Sequence, residues 1–195
     1  MIRNAIRALV ATLVLAVLTG LMYPLVMTGF AQAAFHGKAN GSLIQADGRA
    51  IGSALIGQEW TGQQWFYARP SAISPPYDAS TSYGSNLGPR AQALADAIKQ
   101  RVAAIVQLEG PYHPGLTAAT IPVDLLTASA SGLDPHISPA AALFQAARIA
   151  AVRHLSMEQV TRLIHDHTAG RTLGVLGEPR VNVLELNLAL QRLSG

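Results

Sequence analysis

The stretch TASASGLDPHISPAAALFQAAR, Thr127 to Arg148, sets Ser129, Ser131 and Ser138 within a few residues of Asp134 and His136. Those are the types that build a serine nucleophile, its base and the carboxylate that orients the base. No G-x-S-x-G elbow accompanies them. Ser138 precedes Pro139, the favoured N-cap and first-turn pair of a helix, and Gly132 and Asp134 flank a proline turn. Cap-and-turn chemistry is therefore the favoured reading. A binding surface built on Ser129, Ser131, Gly132 and Asp134 is the alternative, and a hydrolase is the third.

On the helix that follows, Gln145 and Arg148 are three apart and share a face, with Leu143, Phe144, Ala147 and Ala150 assigned to the other sides. The pair reads as a solvated polar stripe or as a recognition pair for a carboxylate, a phosphate or the backbone of a partner. Arg69-Pro70-Ser71 and Gly84-Ser85-Asn86 form a second constellation, in loops whose exposed N–H groups could hold an anion or dock a partner. The Gly-Lys-Ser/Thr ending of a phosphate-binding loop is missing. His165 and His167 point about 200° apart on a helix, so one metal ion cannot readily use both; a surface His165 and a core-edge His167 are expected. His113 reads as a loop residue, and Trp60, Trp65, Phe66 and Tyr67 as core or interface anchors.

These residues must be positioned by elements the pattern predicts. Helices are expected over Pro89–Glu109, from Pro139 to Arg153, from a Ser156/Gln159 capping box to His167, and after an Asn182/Glu185 box. Short strands are expected at Gly52–Gln58, Trp65–Pro70 and Ile121–Ala128, and a further one after the glycine turn of GVLGEPRVN. Residues 74–89 are too rich in proline and glycine for regular structure and read as a long ordered loop.

The composition narrows the class. Hydrophobic residues make up 50% of the chain and charged residues only 13%, which points to a membrane segment. Ala8 to Met27 supplies the roughly 20 apolar residues that a spanning helix needs. Arg3 and Arg7 precede it, so residues 1–7 are expected in the cytoplasm, 8–30 across the bilayer and 31–195 outside. A cleavable leader ending near AQAA is the competing reading, although the apolar run exceeds the usual h-region. Beyond the two leading arginines the chain carries 12 basic against 11 acidic residues, a poor footprint for nucleic acid. Without cysteine there is no disulfide, thiolate nucleophile or thiolate metal site.

Taken in order, TGLMYPL, ANGSLI, GSALIGQEWTG, FYARPSA, GSNL, DLLTASASGLDPHISPAAALFQAARIA, LSMEQVTRLI and GEPRVNVLELNLAL resemble the C subunit of bacterial Kdp potassium-transporting ATPases, from Thr19 to Leu190. The resemblance implies an uncleaved anchor and an α/β (α+β) extracytoplasmic domain at the inner membrane. It implies assembly with a channel-like potassium-binding subunit, a P-type ATP-hydrolysing subunit and a small single-helix subunit. Potassium is then carried by a partner, and no cofactor is assigned to this chain. It further implies a catalytic chaperone that raises the affinity of the catalytic subunit for ATP, with the glutamine of FQAAR, Gln145, involved. The topology places Gln145 on the face without ATP, so indirect coupling is the physical reconciliation. An exported serine hydrolase and a periplasmic solute-binding protein stand as the alternative classes.

Overall fold

The computed structural model describes residues 1–46 and 48–193 and divides into two compact units, Met1–Ile51 and Gly52–Gly195. The first is dominated by helix α1, Ile2–Ala34, long and apolar enough to cross a membrane. Its 33 residues rise about 50 Å, against a hydrocarbon core of about 30 Å. Pro24 has no N–H and its ring crowds the preceding turn. The helix does not break there: it widens into a π-turn over Leu18–Met22, with the Tyr23 N–H reaching back to the Leu18 carbonyl. The hydroxyls of Thr12 and Thr19 donate to the carbonyls of Ala8 (2.9 Å) and Leu15 (2.7 Å), so neither is left unpaired on an apolar helix. Gln32, in the last turn of the helix, and Asn40 beyond it exchange side-chain amide hydrogen bonds of 3.2 and 3.1 Å, and Asn40 also donates to the His36 carbonyl.

Strands β1 (Leu43–Ala46) and β2 (Arg49–Ser53) form a two-stranded sheet. The second unit is mixed helix and sheet: α2 (Gln92–Glu109), the one-turn α3 (Val123–Leu126), β3 (His136–Ile137), α4 (Pro139–Arg153), α5 (Met157–Asp166), β4 (Thr168–Ala169), β5 (Arg180–Asn182) and α6 (Val183–Leu193). The sheet is antiparallel in the order β3-β5-β4, with Ile137 and Thr168 both facing Val181 in register. Around it Ile137, Ala146, Ile149, Val160, Ile164, Val181, Leu186 and Leu190 are all but inaccessible to solvent. Each larger aliphatic side chain so buried contributes about 1.5–3 kcal/mol. The alanines of α4 allow close approach of its neighbours, and α5 packs along it.

The caps follow the sequence. Ser138 Oγ accepts from Ala141 N–H at 3.0 Å, and α4 ends on His154 in the left-handed region, where Leu155 N–H returns to the Ala150 carbonyl. Ser156 and Gln159 form the reciprocal capping box. At α6, Asn182 Oδ1 accepts from Glu185 N–H at 3.2 Å.

The expected strands fare differently. Gly52–Gln58 is strand only to Ser53, whose hydroxyl accepts from Leu55 N–H and turns the chain. Ile121–Ala128 is not a strand, since α3 winds one turn after Pro122 and buries Leu125 and Leu126. The strand near GVLGEPRVN is β5, and residues 74–89 lack helix and strand, as expected. Trp65–Pro70 belongs to no sheet, for a reason that defines the site.

Candidate functional site

A segment rich in aromatic residues has the pattern of a strand but no neighbouring strand to pair with. Its buried backbone groups still need partners, and here two side-chain amides supply them. Asn187 of α6 brackets Phe66, accepting from its N–H at 2.9 Å and donating to its carbonyl at 3.0 Å. Gln145 of α4 brackets Tyr67 in the same way, at 2.8 and 3.0 Å. A primary amide presents a donor and an acceptor side by side, as a paired strand does. Both side chains are buried, Gln145 being 1% exposed.

Arg148, fully buried, completes the clamp. Its Nε donates to Glu109 Oε1 at 2.8 Å, its Nη1 to the carbonyls of Gln63 and Trp65, and its Nη2 to Gln145 Oε1 at 3.0 Å. The guanidinium also lies 5.1 Å from the centre of the Tyr67 ring, while Arg153 stacks 4.4 Å from that of Trp65 and donates to the Gln64 carbonyl. Burial pushes the Glu109 carboxyl up from the usual carboxylate range, against the pull of Arg148. His113 stacks on Phe144, is within hydrogen-bond distance of its carbonyl at 2.7 Å, and so ties the end of α2 to α4.

The solvated stripe expected of Gln145 and Arg148 is thus the buried face of α4, and Leu143 is the exposed residue. The recognition reading is nearer, but what the pair recognises is this chain's own backbone and carboxylate. Glu109 and Asn187 escaped the sequence reading. The available signal was phase: Asn187 lies four residues after Val183, on the apolar stripe of α6. A cavity of about 170 Å³ flanks the clamp, lined mainly by apolar groups of Ala104, Ile105, Leu108, Leu125 and Phe144.

The clamped segment runs directly into Arg69-Pro70-Ser71, which packs against Ser129–Asp134. Ser129 N–H donates to the Pro70 carbonyl at 3.1 Å and Ser71 Oγ to the Gly132 carbonyl at 2.8 Å. Arg69 pairs with Asp134 at 3.3 Å, and Tyr77 donates its hydroxyl to the Arg69 carbonyl. Gly132 has φ +72°, and a Cβ there would lie 2.5 Å from Ile73 Cγ1. A Cβ on Gly84 would meet the Ala130 carbonyl oxygen at 2.7 Å. Sequence-distant loops therefore close into one surface, which Ser85 and Asn86 continue as exposed residues.

Burial would raise the Asp134 carboxyl, but hydrogen bonds from His136 and the charge of Arg69 outweigh it and hold the group below its ordinary range. A carboxylate depressed in the folded state contributes stability above its unfolded pKa, and that contribution disappears as pH falls through the folded value. The stability deficit of Asp134→Asn relative to wild type should accordingly be present at pH 7 and shrink below about pH 4, as read by denaturant titrations across that range.

Of the hydrolase candidates, His136 Nδ1 lies 3.5 Å from Asp134 Oδ1, but among the described residues no serine hydroxyl is hydrogen-bonded to His136. Ser138 caps α4, Ser131 Oγ accepts from Leu133 N–H, and Ser129 Oγ is buried without a hydrogen-bond partner. Ser129→Ala deletes a buried hydroxyl whose desolvation no hydrogen bond repays, so the domain should be more stable, by up to about 1–3 kcal/mol, measurable by urea unfolding. His165 is exposed and His167 half-buried, with Nδ1 2.8 Å from the Leu163 carbonyl. Among the described residues no three metal-ligating side chains cluster.

The family model described as KdpC, K+-transporting ATPase, c chain, matches residues 5–192. Curated relatives named potassium-transporting ATPase KdpC subunit are similar along almost the whole chain. The protein from Burkholderia ambifaria is 56% identical over 191 residues, covering 96% of each chain. That from Koribacter versatilis is 53% identical over 188 residues, covering 96% of this chain and 94% of its own, and that from Ralstonia nicotianae is 54% identical over 184 residues, covering 94% and 88%. With the match running from within α1 to the end of α6, the chain belongs to the KdpC family of potassium-transporting ATPase subunits.

Proposed function

We propose that this subunit is held at the inner membrane by α1, with residues 31–195 on the periplasmic side, and that it stabilises the assembled potassium pump. Its partners are the channel-like potassium-binding subunit, the P-type catalytic subunit and the small single-helix subunit. The docking surface is the closed loop set of Arg69, Pro70, Ser71, Gly84, Ser85 and Asn86 with Ser131 and Asp134, held from beneath by the buried Ser129 and Gly132. Gln145 and Arg148 act behind it, fixing the backbone that leads into Arg69. The higher ATP affinity of the catalytic subunit then follows from favouring an assembly state whose cytoplasmic site binds nucleotide better, a coupling typically of 1–3 kcal/mol.

The observation that carries this reading is the commitment of both amide atoms of Gln145 to Tyr67. A nucleotide contact at Gln145 would have to break those bonds. The cavity beside it, about 170 Å³, is smaller than the roughly 300–1,000 Å³ of ordinary ligand pockets.

Asn187 supplies the test. It brackets the adjacent residue from a different helix and has no part in a nucleotide contact at Gln145. In the purified ATPase, Asn187→Ala and Gln145→Ala should raise the apparent KM for ATP together, with parallel loss of the subunit from the complex. A raised KM with Gln145→Ala alone, at full subunit retention, would favour direct contact.

A further inference from the structure

The cavity beside the clamp is too small for a nucleotide, yet its lining has two unlike ends. Arg101, Ala104, Ile105 and Leu108 recur at the three- and four-residue spacing that sets them on one face of α2. All four line the cavity, together with Leu125 of α3 and Phe144 of α4. Ala104 is exposed and Ile105 and Leu108 are half-buried, so the space reaches solvent along this helix. Its volume of about 170 Å³ admits a body the size of one ring, since an engineered cavity of about 150 Å³ with similar walls takes up benzene.

The charges sit at the two ends, separated by about 12 Å of helix rise from Arg101 to Glu109. At the Glu109 end the chain supplies its own partners, with Arg148 Nε 2.8 Å from Oε1 and His113 Nε2 3.9 Å from Oε2. Arg101 differs. It is half-buried, and among the described residues its one hydrogen bond runs from Nη1 to the Leu126 carbonyl at 2.8 Å. A guanidinium has five N–H donors, so most of them are unspent. The acids on adjoining elements are engaged elsewhere: Asp96 faces Lys99 at 4.0 Å, and Asp124 accepts from Ser138 N–H at 2.7 Å. An unpaired planar cation at the edge of an apolar space selects a carboxylate carried on an apolar body.

We propose that this cavity binds a small apolar monocarboxylate, a single ring or a short acyl chain lying along Ala104, Ile105 and Leu108 with its carboxylate on Arg101. A phosphate monoester would bring a second negative charge, and among the described residues the lining holds no second uncommitted cation. Arg148, behind the cavity, is spent on Glu109, Gln145 and two carbonyls. A neutral hydrocarbon would leave the guanidinium unmatched. Tyr67 and Gln145 also line the cavity, so an occupant packs against the amide bracket. The inference stands on the cavity and Arg101, and is independent of the loop surface and of the side of the membrane proposed above.

Calorimetric titration of the full-length subunit in detergent with benzoate, and with benzamide as its neutral isostere, tests it. Benzoate should bind saturably at one site and at least about tenfold more tightly than benzamide, as a hydrogen bond to a charged group is worth. Arg101→Gln should abolish that preference while benzamide binds as it does to the wild type. Intermolecular nuclear Overhauser contacts should run from the benzoate ring protons to the methyl groups of Ile105 and Leu125. Absence of saturable binding, equal affinity for the two probes, an undiminished preference in Arg101→Gln, or ring contacts to methyl groups elsewhere would each overturn the site. If Arg101→Gln does not fold, the benzoate-to-benzamide ratio of the wild type and the Overhauser contacts decide without it.

Discussion

Arg148→Met should be the most damaging single substitution in the domain, lowering its stability by about 3–5 kcal/mol. Methionine fills much of the space but leaves Glu109 buried without its cation, and frees the carbonyls of Gln63 and Trp65 from their charged donor. The cost of breaking a buried pair lies mainly in the abandoned partner rather than in the pair's own net worth. The double variant Glu109→Leu, Arg148→Met should therefore be less destabilised than the sum of its two single variants, by about 1–3 kcal/mol of coupling. Chemical unfolding of the four proteins completes the cycle. Strict additivity would mean that the pair does not act as a unit.

Gln145→Ala comes second, at about 2–4 kcal/mol, since it strands both the N–H and the carbonyl of Tyr67 and one Arg148 donor. It also has a local signature that general destabilisation lacks. Exchange of the Tyr67 amide hydrogen should accelerate beyond that of amides in α5, which share no bond with Gln145. This should hold in the absence of any nucleotide. If Tyr67 exchange is unchanged, the amide bracket is not what protects that backbone, and the route from Gln145 to the docking loops is lost.

These expectations rest on residues the sequence made visible to different degrees. Helices α4 and α5 were legible to within a few residues because Ser138, Pro139, Ser156 and Gln159 are local signals that act within one turn. The mixed helix-and-sheet class and the apolar leading helix were legible too. The three-stranded sheet was mostly hidden, since β3 and β4 have two residues each, too few for alternation to show. Ile121–Ala128 misled because Val and Leu favour burial in either a strand or a helical turn, and Pro122 decided the matter.

At the site, Gln145 and Arg148 stood out by type, but their burial was masked by the alanines around them. Composition gives alanine little weight as a core residue, yet Ala141, Ala142 and Ala146 mark the inward face of α4. Asn187 and Glu109 act across 121 and 39 residues of chain respectively. Periodicity places such a residue on a face but does not name its partner. The same holds for Gly132 and Gly84, whose close approaches to Ile73 and Ala130 depend on tertiary loop packing.

The most direct test of the account asks on which side of the bilayer the domain lies. Gln145 is unsuitable as a labelling position, because a cysteine there would be shielded from reagents on both sides. His165 is exposed and lies outside the docking loops, and the chain has no cysteine of its own. With His165→Cys in the assembled pump, an impermeant maleimide should modify this subunit in intact spheroplasts and leave it unmodified in sealed inside-out vesicles. Labelling only in the inside-out vesicles would put the domain with the nucleotide pool and contradict the indirect role assigned to Gln145.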